Sequence, residues 1–378
     1  MSNLVPPKRL QGIQKSLIRQ VFDRALPGSL NLGLGEPDLP TPDVIRRAAI
    51  KVITEEQNGY TSHAGLPRLR EIIANDYGHL AGDPNKVIVT AGSQEALYLA
   101  LLTLVDEGDE VLLPDPGFVA YPTIVKMAGG KSKFYKLPAD NNFGFDIDDF
   151  RRALTPQTKV VVCISPSNPT GRTLTDTDLE AIADALRDHD AYLISDEIYA
   201  ELYYGEKKPA SASSFHERTI VISGLSKSMS MTGWRLGWIA GDMEVIQPAL
   251  VLHGYVTTCA STVSQKAALA AWTHEAEVAR SGFRKTFKER RDHLLGLIES
   301  ELGLRAVSPN GAFYTMVDVG RYGSSMQVAE ALLEERVITV PGSAFGTEGE
   351  GFLRVSFCAD FDALTEGVNR MKKAIAKL

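Results

Sequence analysis

Cysteine is scarce in this 378-residue chain: only Cys163, Cys259 and Cys358 occur, far apart and odd in number. They form no C-x-x-C pair, so neither a disulfide framework nor a metal site is expected; three free thiols in a reducing compartment are. Uninterrupted apolar runs of about 18 residues are also missing, which argues against a transmembrane helix. The opening segment M-S-N-L-V-P-P-K-R-L-Q lacks an apolar stretch ahead of a small-residue cleavage site. No secretory signal is therefore expected, and the cytoplasm is the expected location. No block of like charge stands out, and the net charge is −7, so the chain as a whole has no attraction for nucleic acid. Internal repeats and low-complexity linkers are absent as well.

What is present is a globular composition, 44% hydrophobic and 23% charged. The length suggests two packed domains. Short β-branched runs alternate with amphipathic stretches through the middle of the chain. Strands are expected at Lys86 to Thr90, Glu110 to Leu113, Lys159 to Ile164, Ala191 to Ser195 and Thr219 to Ile222. Helical periodicity covers Gln94 to Leu104 and Leu179 to Arg187. The alternation predicts an α/β fold with a mostly parallel sheet covered by helices on both faces.

The last quarter reads as a smaller α+β unit. A helix is expected over Gly282 to Leu302, strands at Phe313 to Val317, Val337 to Val340 and Phe352 to Phe357, and a helix from about Asp362 to the end. The expected division is a large domain over residues 45–280, with residues 1–44 plus 281–378 forming a small domain and N-terminal arm. A cleft between the two is the expected ligand site.

Ligands of open α/β sheets bind beyond the carboxyl ends of the strands, so the residues after each strand matter most. After Thr90 come Ala91-Gly92-Ser93-Gln94, a small-residue turn opening a helix, where free N–H groups could hold a phosphate. Alone, that turn reads first as an ordinary one with Ser93 as N-cap. After Ile164 come Ser165-Pro166-Ser167-Asn168-Pro169-Thr170-Gly171, a rigid loop presenting the Asn168 amide to a planar ligand oxygen. After Ser195 come Asp196-Glu197-Ile198-Tyr199. A carboxylate there needs a partner, which a protonated pyridine nitrogen would supply, and Tyr199 could offer its hydroxyl; an N-cap Asp and a half-buried Tyr fit equally well. After Ile222 come Ser223-Gly224-Leu225-Ser226-Lys227, with Arg235 eight residues beyond. Lys227, among small and apolar neighbours, is a candidate neutral amine for a Schiff base, and Arg235 a candidate phosphate partner. Phosphate, ring oxygen, basic ring nitrogen and aldehyde together describe pyridoxal 5′-phosphate. The string Gly33-Leu34-Gly35-Glu36-Pro37-Asp38 lacks the third glycine of a dinucleotide fingerprint and is not read as one.

The motifs S-x-x-N-P-T-G, S-D-E-I-Y and S-K-x-x-x-M-T-G-W-R-x-G occur here in the order and spacing of the class I/II aminotransferases. The chain resembles that family, within the pyridoxal-phosphate fold type I superfamily, over nearly its whole length, from Gly33 to Arg354. The resemblance implies Lys227 as Schiff-base lysine and proton-transfer base, Asp196 on the pyridine nitrogen, and Tyr199 and Asn168 on the ring oxygen. It implies Ser93 and Gln94 N–H, Ser226 and Arg235 on phosphate, and Phe118 stacked on the ring. It implies Arg354 and Gly35 on the substrate carboxylate, and Tyr60 reaching the phosphate of a neighbouring subunit, hence a homodimer with shared active sites. Where many relatives carry a phosphate-binding serine this chain has Gly224, so Ser226 or Ser223 is expected to take over. The implied activity is a ping-pong transfer of an amino group between an L-amino acid and a 2-oxo acid. The same fold also hosts C–S lyases and carbon–carbon or decarboxylating enzymes. A cofactor-binding regulatory module is a further alternative, disfavoured because no helix-turn-helix pattern occurs in the roughly 30 residues before the shared region. Donor side chains are expected to be read by Val5 to Leu17, by Tyr60 to Gly65 and by the partner subunit. Lys15, Arg19 and Arg24 are candidates for a distal carboxylate, with solvated helix charges the plainer reading.

Overall fold

A computed structural model describes residue 7, residues 10–80 and residues 82–378. Within the expected N-terminal reading segment, residues 5, 6, 8 and 9 lie outside the described residues.

A seven-stranded sheet forms the centre. Its spatial order is Val87–Thr90, Gly237–Ala240, Thr219–Gly224, Tyr192–Asp196, Thr158–Ile164, Glu110–Asp115, Lys131–Lys136. Gly237–Ala240 runs antiparallel to both neighbours, and the other six strands point the same way. The central strands read as continuous apolar runs because both faces are covered. In Thr158–Ile164 the period of two is visible in the packing. Val160, Val162 and Ile164 join one apolar core, while Val161 and Cys163 join another on the opposite face. All six like-directed strands discharge at one edge, so the turns after Thr90, Asp115, Ile164, Asp196 and Gly224 meet there.

The second unit holds a three-stranded antiparallel sheet of Val340–Pro341, Phe352–Ser356 and Tyr314–Asp318, with helices Ser325–Glu334 and Phe361–Ile375. Leu30–Asn31 pairs in parallel with Val337–Ile338, which fastens the N-terminal segment to this unit. The helix expected over Gly282 to Leu302 starts earlier, at His274, because the Thr273 hydroxyl accepts from the Ala276 N–H as its N-cap. It runs to Leu297 and ends in a wider turn, Ile298–Leu302. The expected domain boundary at residues 280/281 therefore falls inside one continuous helix. Three of the strands escaped the sequence reading: Leu30–Asn31, Lys131–Lys136 and Gly237–Ala240. Among the described residues no helix is long and apolar enough to cross a membrane.

Candidate active site

The turn after Thr90 is built by glycines. Gly92, at φ +95°, is the N-cap of Ser93–Leu104, so the expected N-cap Ser93 is instead the first helical residue. An L-residue adopts that φ poorly, which is why the cap is glycine. The Ser93 and Gln94 N–H groups thus lie among the unpaired donors of the helix start. A Cβ on Gly92 would lie 2.5 Å from Arg235 Nη2, and one on Gly237 would lie 2.4 Å from the Ser93 nitrogen. The missing Cβ atoms leave the space between Arg235 and the helix end open. Arg235 donates from Nη1 to the Thr232 carbonyl (2.8 Å) and from Nη2 to the Ala91 carbonyl (3.3 Å), and remains exposed.

Of the two serines in question, Ser226 lines the cleft. Ser223 is buried beneath it and donates to the Glu197 carbonyl at 3.1 Å. Gly224 has its own explanation: a Cβ there would sit 2.8 Å from the Leu236 carbonyl oxygen and 3.0 Å from Gly237 Cα. A serine does not fit against the antiparallel strand.

Asp196 ends its strand buried. Its Oδ1 accepts from the Ile198 N–H (3.2 Å) and its Oδ2 from the Tyr121 hydroxyl (2.9 Å). The first bond is turn capping; the second aims the carboxylate into the cleft. Burial pushes Asp196 up to about 6, against the opposing pull of Tyr121, Ile198 and the Lys227 charge. Burial, and then the Asp196 charge, push Tyr121 well above its ordinary value, so Tyr121 keeps its proton and stays the donor.

Lys227 projects into the same space, and its Nζ donates to the Gly35 carbonyl at 2.6 Å. Burial pulls its pKa down to about 8; Cys358 and Glu36 oppose this, while Arg354 and Arg235 assist. Tyr199 is buried, and its hydroxyl lies 2.9 Å from that of Tyr314. Arg354 is 3% exposed. It donates to Asn168 Oδ1 (2.7 Å) and the Gly33 carbonyl (2.5 Å), which leaves the Asn168 amide NH₂ as a donor. Its Cζ lies 4.3 Å from the Tyr314 ring centroid and 4.7 Å from that of Phe345. Among the described residues no carboxylate pairs with it, and its buried Nε has no partner. A buried cation left without an anion costs several kcal/mol, so an anionic ligand would fit here.

These groups surround one cleft of about 260 Å³. Gly35, Ser93, Gln94, Phe118, Asn168, Asp196, Tyr199, Ser226, Lys227, Arg235 and Arg354 all line it, with Gly92 behind the turn. Phe118 stands edge-on to Tyr121, ring centroids 5.5 Å apart. Tyr60 is the exception. It is 87% exposed and lies in a separate surface groove with Cys259 to Val263, away from the cleft of its own chain.

Residues 27–371 match the family model for aminotransferase class I and II. The chain belongs to the class I and II aminotransferases. It is 36% identical to the probable aspartate aminotransferase of Methanocaldococcus jannaschii, over 97% of this chain and 98% of that one. It is also 36% identical to aromatic-amino-acid aminotransferase 2 of Thermococcus litoralis, over 97% of each. The structure of the Thermus thermophilus aspartate aminotransferase with maleate superposes with a TM-score of 0.93 at 34% identity, covering 98% of this chain and 100% of that one. The fold is therefore fold type I, and the protein is an aminotransferase.

Several residues of this aminotransferase's cleft carried no role in the sequence reading. Tyr121 lies three residues beyond Phe118 in the first turn of helix Ala120–Ala128, but nothing local announces that its hydroxyl meets Asp196. Tyr314 opens its strand directly after Phe313, but nothing local announces that its hydroxyl meets Tyr199. Ile18 and Leu34 line the cleft from the N-terminal side, just past the expected segment. Of the candidate distal cations, Lys15 pairs with Asp23 (2.6 Å) and Arg24 with Glu330 (2.6 Å), while Arg19 is exposed. None of the three lines the cleft. Among the described residues no cluster of His, Cys, Asp or Glu is placed to hold a metal ion.

Proposed function

We propose that this aminotransferase works with pyridoxal 5′-phosphate and moves the amino group of an L-amino acid to a 2-oxo acid by a ping-pong route. The residues present fit the group. A phosphate fits the opening kept clear by Gly92 and Gly237, where the Ser93 and Gln94 N–H groups, the Ser226 hydroxyl and Arg235 converge. Buried Asp196 fits a protonated ring nitrogen, because a cation there offsets the desolvation that now pushes its pKa to about 6. Asn168 NH₂ and the Tyr199 hydroxyl fit a ring oxygen, and Phe118 offers an aromatic surface to the ring. Once bound, the cofactor supplies an electron sink and a carbonyl that the protein lacks.

The chain's own groups do the rest. Lys227 Nζ, with its pKa drawn down, is the amine that tethers the group and, when freed, takes the α-proton of the amino acid and returns it. Arg354 takes the α-carboxylate as a fork, oriented by its bonds to Asn168 and the Gly33 carbonyl. The Gly35 N–H is the further donor for that carboxylate, while the Gly35 carbonyl accepts from Lys227 Nζ. The observation that carries this reading is the convergence of Lys227, Asp196 and unpaired Arg354 in one cleft.

The reading extends to a homodimer in which Tyr60 serves the neighbouring subunit's phosphate, which its exposure supports. It extends to a large domain over residues 45–280 with residues 1–44 plus 281–378 as small domain and arm. A cytoplasmic location is supported by three free cysteines. The test is Lys227→Ala. The variant is expected to lose the visible absorbance of the bound cofactor and almost all turnover. Appreciable activity without added amines would refute the assignment.

A further inference from the structure

The phosphate-binding turn rests on a carboxylate that no step above uses. Glu95 stands at the third position of helix Ser93–Leu104, with its side chain 9% exposed. Its Oε2 accepts from the Ala91 N–H, reaching back across the turn to the residue before the N-cap. Its Oε1 accepts from Thr257 Oγ1 at 2.5 Å and lies 2.9 Å from His253 Nδ1. His253 is fully buried on helix Met243–Val256, and among the described residues its other ring nitrogen, Nε2, has no partner. The imidazole is thus given over to Glu95, and Thr257 caps the end of the same helix.

Charge alone does not account for this arrangement. A carboxylate in the first helical turn gains about 0.3–1 kcal/mol from the helix dipole. A phosphate held at this helix start would stand near it as a second anion and repel it. Its burial costs more again, and accordingly it is held by three hydrogen bonds. What those bonds achieve is geometric. They fix Ala91, whose carbonyl accepts from Arg235, and through Gly92 they fix the direction of the Ser93 and Gln94 N–H groups. We infer that Glu95, braced by His253 and Thr257, is a positioning residue that sets the phosphate-binding turn and thereby the retention of the cofactor. This rests on the pyridoxal-phosphate reading proposed above.

The test is titration of the apo-forms of the wild type, Glu95→Ala and Glu95→Gln with pyridoxal 5′-phosphate and, separately, with phosphate-free pyridoxal, following the visible band. Loss of a hydrogen bond to a charged group predicts that Glu95→Ala weakens pyridoxal 5′-phosphate about ten- to hundredfold. Pyridoxal affinity is expected to stay within about twofold, because the aldehyde and ring contacts are untouched. Glu95→Gln retains an acceptor for Ala91 and is expected to recover most of the affinity, and it remains informative if the alanine variant does not fold. Equal weakening of both ligands, or no change in either with only a lowered melting temperature, would overturn the inference in favour of general support of the helix. A wild type that takes up pyridoxal 5′-phosphate while both variants match it sinks this inference alone; a wild type with no band at all sinks the parent reading with it.

Discussion

At the scale of single residues the proposed chemistry depends on two groups whose pKa values burial moves toward neutrality. Lys227, with a folded pKa of about 8, is roughly one-tenth neutral at pH 7, against roughly one part in three thousand for an ordinary lysine. The unfolded chain holds that proton up to about 10.5, so the lysine's contribution to the stability of the apo-form rises between pH 8 and 10.5 and is poorest below 8. Asp196 has the other sign. Its folded pKa of about 6 exceeds the unfolded 3.8, so its penalty grows as pH rises through that window and is complete above 6. On the proposed reading, capture of the cofactor needs the neutral amine. The rate at which the visible band forms on mixing apo-protein with pyridoxal 5′-phosphate is therefore expected to rise up to about tenfold per pH unit below 8 and to level above it. Stopped-flow absorbance measures this, and a flat profile from pH 6.5 to 9 would contradict the account of Lys227.

At the scale of elements the site is made of turns, and a close approach of backbone to backbone lies at the start of Gly237–Ala240. A Cβ on Gly237 would meet the Ser93 nitrogen at 2.4 Å, the Gly92 carbonyl carbon at 2.6 Å and the Ser223 oxygen at 2.9 Å, all backbone atoms that cannot rotate away. Gly237→Ala is expected to cost about 1–3 kcal/mol and to weaken cofactor binding by forcing the phosphate turn apart. Thermal melts of the apo-form and a cofactor titration measure the two effects; an unchanged melt would contradict the packing argument. The same elements show what sequence reveals. The buried strands were legible because their two covered faces leave unbroken β-branched runs, and the turns after them were legible by adjacency. Lys131–Lys136 was not, because an edge strand of sequence K-S-K-F-Y-K is largely exposed and carries no apolar run. Gly237–Ala240 was not, because four residues opening on glycine resemble a loop until the antiparallel pairing is seen. Ser93 looked like the cap because serine is the commoner one, and the φ of Gly92 decided otherwise. The Tyr121–Asp196 and Tyr199–Tyr314 contacts join residues 75 and 115 positions apart, and no local pattern encodes them.

At the scale of the whole molecule the proposed dimer has exposed apolar side chains to bury. Ile50 and Ile53 on helix Asp43–Glu55 and Val251, Tyr255 and Val256 on helix Met243–Val256 are all more than half exposed, as is Tyr60. Exposed apolar side chains of this size are what the dimer proposed above would cover. Sedimentation is expected to give twice the 41.2 kDa chain mass, and Tyr60→Ala to weaken cofactor retention in the dimer; a 41.2 kDa species with full cofactor occupancy would contradict the shared site. The central claim, that one cleft holds pyridoxal 5′-phosphate and exchanges amino groups, is tested most directly by the absorbance spectrum of the purified protein, recorded alone and after each single amino acid. The account predicts a visible band that a particular amino acid converts to a shorter-wavelength form while one equivalent of its 2-oxo acid appears. A band that no amino acid converts while pyruvate and ammonia accumulate, or no band after incubation with pyridoxal 5′-phosphate, would contradict it.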